Sequence, residues 1–213
     1  MFVITADQVG SRTGPDLATD TLRALQERHG ETLALPVDRN AGDELQALTP
    51  DPATALALVL ELTRDGLWSV GVGIGAIRLP LPAQTRAASG DAFVAARAAV
   101  GRAKKSPTRL AVEALVDPEA ARDVEALADL LLTLRDARSP AGWELYDLLS
   151  AGLTQTEAGA RLGITPQSVS DRARAANLRV ELAAVPALTR LLASADAAQL
   201  AAPPTTAHDS EDE

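Results

Sequence analysis

The chain has 213 residues, 46% of them apolar, which is enough to fill two small cores, and no cysteine, which excludes a disulfide framework and a thiolate metal site. A formal net charge of −9 excludes a protein that coats nucleic acid through a global excess of Lys and Arg, while leaving room for a local basic face. No apolar run approaches the ~18 residues of a bilayer span, and the start Met1-Phe2-Val3-Ile4 has neither a basic region nor a long apolar stretch, so a cytoplasmic location is expected.

Phe2 to Ala6 is a short apolar run of the buried-strand type, broken by the turn residues Gln8 to Pro15. Pro15 and Asp16 suit a helix start, and Ala18, Leu22 and Leu25 give that helix one apolar stripe up to Gly30. Leu33 to Val37 and Leu45 to Leu48 flank a tight turn and read as a hairpin with acids at its tip. Pro50 to Pro52 opens a helix with Leu56, Val59 and Leu60, closed by Asp65-Gly66. Trp68 to Ile77 alternates glycine with β-branched residues, as in a strand approached closely by a packed helix or by a ligand; the packed helix is the more ordinary of the two. Ser89 is placed to cap a third helix through Lys104, and Arg109 to Leu115 makes a last strand.

From Pro118 onward the periodicity is wholly helical, with Val124, Leu127, Leu131 and Leu134 spaced by three and four. Ser139-Pro140 opens another helix that Gly152 ends, and Glu181 to Ala195 forms a final helix in which Pro186 predicts a kink or a late start. The fold class expected is α+β: a ferredoxin-like domain over 1–117, its helices on one face of an antiparallel-containing sheet, then an all-α domain over 118–197. Residues 198–213 read as a disordered acidic tail.

Two places in this outline carry chemistry. Asp7 ends the first strand and Asp43 sits in the hairpin turn after Gly42, so central pairing of those strands makes the two carboxylates neighbours able to hold Mg²⁺ together with phosphate oxygens. Gly10, Ser11 and Arg12, leading into a helix N-terminus, offer amide N–H groups and a guanidinium to those phosphates. The plainer account is that Asp7 ends a strand, Asp43 suits a turn and Gly10 bends the chain.

Farther on, 154–177 reads as a helix-turn-helix. Thr154-x-x-Glu157 is a capping box, Ala158 and Leu162 share a face, Gly163 supplies the turn, and Thr165 with Pro166 starts a second helix whose Val169 faces inward. A second helix of this kind presents Gln167, Ser168, Ser170, Asp171 and Arg172 to base edges in the major groove, with Arg174 and Arg179 placed to hold phosphates and Gln155 and Thr165 completing the DNA-binding set. Asp171 opposes phosphate unless it accepts from a cytosine amine. One such unit buries little, so a homodimer on paired half-sites of double-stranded DNA is expected; the leucines at 127–134 and 182–192 are candidate dimer surfaces or intramolecular core.

Ala41-Gly42-Asp43-Glu44-Leu45 is similar to the GGDEF signature, and Ser69 to Gly75 with Gly90 to Arg97 resembles the later strand and helix of the palm domain shared by class III nucleotidyl cyclases and diguanylate cyclases. With Asp7-Gln8-Val9-Gly10-Ser11-Arg12 at the start and the helix-turn-helix at the end, the whole chain resembles the bacterial SatD family. The resemblance implies a palm-like, nucleotide-binding N-terminal domain. Departures from it matter: Ala41 replaces the first signature glycine, Leu45 the phenylalanine, and Phe93 or Val94 stands where class III cyclases carry an asparagine, with Arg97 one position early. That pattern lacks a transition-state donor and favours binding without turnover.

The function expected is therefore a transcriptional regulator with a nucleotide-sensing N-terminal domain, coupled to DNA through the helix from Pro118 to Arg135. An active Mg-dependent cyclase-like enzyme, or a ligand-free dimerisation domain joined to a DNA reader, are the alternatives.

Overall fold

The computed structural model describes residues 1–11, 14–40 and 42–201; Arg12, Thr13, Ala41 and residues 202–213, which include most of the expected acidic tail, lie outside the described residues. The fold is α+β, a mixed five-stranded sheet with helices followed by an all-helical region. Strand β1 (Phe2–Gln8) lies at the centre of the sheet, antiparallel to β3 (Glu44–Thr49) on one side and to β4 (Trp68–Ile74) on the other. β2 (Leu35–Arg39) extends the β3 edge and β5 (Leu110–Ala114) runs parallel to β4, giving the order β2-β3-β1-β4-β5.

The period of two along each strand sorts the side chains onto two unlike faces. Phe2, Ile4, Ala6, Val70, Val72, Ile74, Leu110 and Val112 make the large core, covered by α1 (Ala18–His29) and α2 (Pro52–Leu62). Asp51 caps α2, accepting from the Ala53 and Thr54 amides at 3.3 and 2.9 Å. The opposite face receives α3 (Asp91–Ala103), whose Ala92, Ala96 and Ala99 are buried against it. A Cβ added at Gly73 would stand 2.0 Å from the Ala92 carbonyl oxygen, and one at Gly71 2.2 Å from the Val100 nitrogen. A helix, not a ligand, thus requires the glycine alternation of β4.

The expectation that every helix lies on one face is corrected by α3. β3, β4 and β5 all point the same way, and α2 and α3 connect them by steps in the same direction across the sheet. One shared hand would place both helices on one face; on opposite faces, the two crossovers have opposite hands. The alanine and glycine surfaces explain the exception, because only the glycine face of β4 admits a helix backbone this close. Ser89 is not the cap of α3 either. Gly90 holds that position at φ 138°, where an added Cβ would meet Ile77 Cα at 2.6 Å, so no side chain fits there.

Past residue 117 the same large core continues. α4 (Pro118–Asp136) contributes Ala121, Val124, Ala128, Leu131 and Leu132, and α8 (Leu178–Ala201) contributes Leu188, Leu192 and Ala195. The expected boundary therefore falls inside one hydrophobic cluster. α8 is longer than the sequence reading allows, running through Pro186 and taking in 198–201, where Gln199 Oε1 accepts from the Val116 amide at 3.1 Å. Between α4 and α8, helices α5 (Pro140–Ser150), α6 (Gln155–Leu162) and α7 (Pro166–Ala175) close on a core of their own around Leu145, Ala158 and Val169. Among the described residues, no helix is long and apolar enough to cross a membrane.

Candidate functional site

The sheet end near Asp7 gathers polar groups on the α3 face. β1–β3 register sets Asp7 directly opposite Glu44, and β1–β4 register sets it opposite Ser69. Side chains paired in this way share a face with Cβ atoms ~4.5–5.5 Å apart, so two carboxylates here repel unless a cation intervenes. Lys104, just past the end of α3, provides one: its Nζ donates to Asp7 Oδ2 at 2.7 Å. Glu44 accepts from Asn40 Nδ2 at 2.8 Å and from Gln46 Nε2 at 3.5 Å. Two residues inward, the Thr5 hydroxyl is buried without a hydrogen-bond partner.

Asp43 lies one residue before this pair, in the turn, with Gly42 at φ 76° and its carbonyl accepting from Arg39 Nε at 2.5 Å. The carboxylate that the register aligns with Asp7 is Glu44, not Asp43, because the residue facing a strand end is set by turn length and not by composition. Gly10 takes φ 70°, Ser11 lies in the same turn, and Gln8 fastens the loop by donating to the Pro15 carbonyl at 2.7 Å and accepting from the Leu17 amide at 3.0 Å. The start of α1 is already served by a protein carboxylate. Asp16 accepts from the Ala18 amide at 3.0 Å, and the Arg39 guanidinium bonded to it holds its carboxyl below the usual aspartate range.

Asp7 and Glu44, with Asp43 adjoining, are the residues able to hold a hard cation here, and two carboxylates suit Mg²⁺ only when phosphate oxygens complete the shell. Among the described residues no three His, Cys, Asp or Glu side chains cluster to bind a metal without that help. Phe93 packs with Val3 and Leu48, while Val94 and Arg97 lie on the exposed side of α3.

The second region is the surface of α5–α7. Both halves of the capping box form at α6: the Glu157 amide donates to Thr154 Oγ1 at 3.2 Å and the Thr154 amide to Glu157 Oε2 at 2.8 Å. The backbone bond holds the Glu157 carboxyl below its ordinary value, the Thr154 hydroxyl adding to the effect. Gly163 ends α6 at φ 65°, and Thr165 caps α7 by accepting from the Ser168 amide at 3.2 Å. An added Cβ at Gly159 would stand 2.9 Å from Val169 Cγ2, so the two helices cross at a glycine.

Thr165, Gln167, Ser168 and Ser170 are exposed around the start of α7, and Gln155 and Arg179 are exposed too. Arg174, 78% exposed, donates to Asp171 at 2.6 Å, and Gln167 donates to the same carboxylate at 3.2 Å. Arg172 turns back toward α5, reaching the Ala141 carbonyl at 3.4 Å and Glu144 at 3.5 Å. Asp171 therefore occupies one candidate reader, Gln167, and one candidate phosphate contact, Arg174, and any anion at α7 must compete with it. No family model matches the chain, and neither curated proteins nor solved structures give a match.

Proposed function

We propose that this chain is a cytoplasmic DNA-binding transcriptional regulator of the SatD family, with a palm-like, ferredoxin-type sheet that senses a nucleotide. The observation that carries the DNA reading is the α7 surface: a capped helix, seated on its own three-helix core, with Thr165, Gln167, Ser168 and Ser170 exposed together. The strand order supports the palm reading, because α1 and α2 each cross one intervening antiparallel strand in the split βαβ manner. In this reading Asp7 and Asp43, joined by Glu44, hold Mg²⁺ with the nucleotide's phosphates, and Lys104 supplies the positive charge when they are away. A homodimer brings two α7 helices to successive major grooves.

Selection from a random double-stranded DNA pool with the full chain tests the DNA half. An enriched palindromic site is expected, with Gln167→Ala relaxing preference at one base and Arg174→Ala weakening all sequences while lowering the salt slope by ~1. No enriched sequence, and no retention of DNA at low salt, would overturn it. Calorimetry with nucleoside triphosphates and Mg²⁺ tests the sensor half, and Asp7→Asn is expected to abolish the Mg²⁺-dependent heat. Cyclic or pyrophosphate product from labelled triphosphate would replace the sensor by an enzyme.

A further inference from the structure

A cavity of about 910 Å³ lies away from the carboxylates at the sheet end, between α2 of the sheet domain, α5 and α8, and reaches Gln155 at the start of α6. Its volume is that of sites for drug-sized ligands. Leu56, Leu60, Leu149, Leu153, Leu178 and Val185 give it an apolar lining. Charged groups at its edge occur in pairs: Arg28 with Glu61, and Arg64 with Asp147 in a bidentate bridge at 2.7 and 2.8 Å.

The inner wall is different. Arg135, 4% exposed, and Glu181 both line the cavity, and the single buried carboxylate of Glu181 is bonded by Arg135 and also by Arg138, which is outside the lining. Two guanidinium groups thus share one negative charge, and Arg135 Nε and Arg138 Nη1 are buried with no partner. The faces of Trp143 and Tyr146 soften this excess, with Arg138 4.4 Å and Arg135 4.8 Å from the Trp143 ring centre. A buried cation lacking a full counter-charge is costly, and an anion in the cavity would offset that excess through Arg135 without reaching the two enclosed nitrogens.

We propose that this cavity binds an amphipathic organic acid, its apolar body against the leucines and its carboxylate on Arg135. The wall is shared by α2 and α8 on one side and Tyr146 and Asp147 of α5 on the other, so occupancy bears on how the three-helix unit sits against the sheet. Binding at this cavity is read without DNA or nucleotide, so it stands or falls apart from the regulator reading.

The test uses the full chain, with Trp143 emission and calorimetry as readouts and two acids as probes, dodecanoate and naphthoate, each beside its corresponding alcohol. At least one acid is expected to saturate a single site and to bind ~10-fold or more tightly than its alcohol, the difference expected of a charge-assisted bond. Preference for dodecanoate would assign an acyl chain, and preference for naphthoate an aromatic acid. Ala57→Phe, filling the cavity from α2, is expected to abolish binding with an unchanged melting temperature, and Arg135→Lys to retain the acid preference. Leu153→Trp serves as a second block should Ala57→Phe misfold. The proposal is overturned if neither acid saturates, if the alcohols bind as well as the acids, or if a folded blocked variant binds like the parent chain.

Discussion

The sheet half of the molecule buries Phe2, Ile4, Leu58, Val70, Val72 and Ile74 in one cluster that α4 and α8 close, whereas α5–α7 close on six buried residues, three of them alanine. The smaller core buries too little to be secure alone, and it is fastened to the larger by polar contacts: Arg64 to Asp147, Arg138 to the Ala176 carbonyl, and three arginines around Trp143, two of which Glu181 holds in place. Apolar area suffices where there is much of it; where there is little, polar contacts hold the unit and also leave it sensitive to what binds between.

The contrast is broken most severely at Gly73. Gly73→Ala drives a Cβ to 2.0 Å from a backbone oxygen of α3, with Ala96 N at 2.3 Å, and neither atom can move without shifting the helix. A loss of ~4 kcal/mol or more is expected in urea unfolding, comparable to the whole stability of many domains. Gly159→Ala, the corresponding crossing in the small core, is tight against a Val169 methyl at 2.9 Å with the Ile164 carbonyl oxygen at an ordinary 3.4 Å, and gains ~1 kcal/mol of helix propensity, so a net cost of ~1 kcal/mol is expected. Equal losses at the two glycines would remove the distinction between backbone and side-chain packing.

Glu181→Leu comes next. It leaves Arg135 and Arg138 buried without their carboxylate, and a cost of ~3 kcal/mol is expected, with Arg135→Met and Arg138→Met added to it recovering most of the loss. Hydrogen exchange should show the opening concentrated in α5–α7 while amides of β1 and β4 stay protected. Uniform loss of protection would mean that the two cores are one cooperative unit.

How far these regions can be read from sequence follows the range of the interactions involved. Thr154 acts on Glu157 and Thr165 on Ser168, each three residues away, and Gly163 turns the chain between them, so caps and turn are legible from spacing and occur in the fold as expected. The order of strands and helices through Ala114 is equally legible from period and turn residues. Alignment of Asp7 with Glu44, by contrast, depends on where the hairpin turn places the start of β3, and Lys104 meets Asp7 across 97 positions of chain. The leucine stripes of α4 and α8 show that some surface must cover them; period alone does not name the sheet as that surface, and Leu130 and Leu182 remain exposed. Buried arginines at 135 and 138 carry no sequence signal at all, since arginine in a helical stripe reads as solvated.

The smallest effects separate the two halves by pH. Asp51 caps α2 in the sheet half and Thr165 caps α7 in the three-helix unit, and replacing either by Ala is expected to cost ~1 kcal/mol at neutral pH. Only Asp51 titrates. The Thr54 hydroxyl, with the Thr54 and Ala53 amides, outweighs burial and holds its folded-state pKa below the ordinary 3.8. A carboxylate lowered in this way stabilises fully above its unfolded value and loses that contribution as pH falls through the folded one. The stability gap between the parent chain and Asp51→Ala should therefore be constant at neutral pH and narrow below 3.8, while the gap to Thr165→Ala stays flat over the same range. Chemical unfolding of both variants across that range reads the difference directly: parallel curves would mean that Asp51 caps α2 no differently from an uncharged residue, and that the Thr54 contact adds nothing to the ionised form.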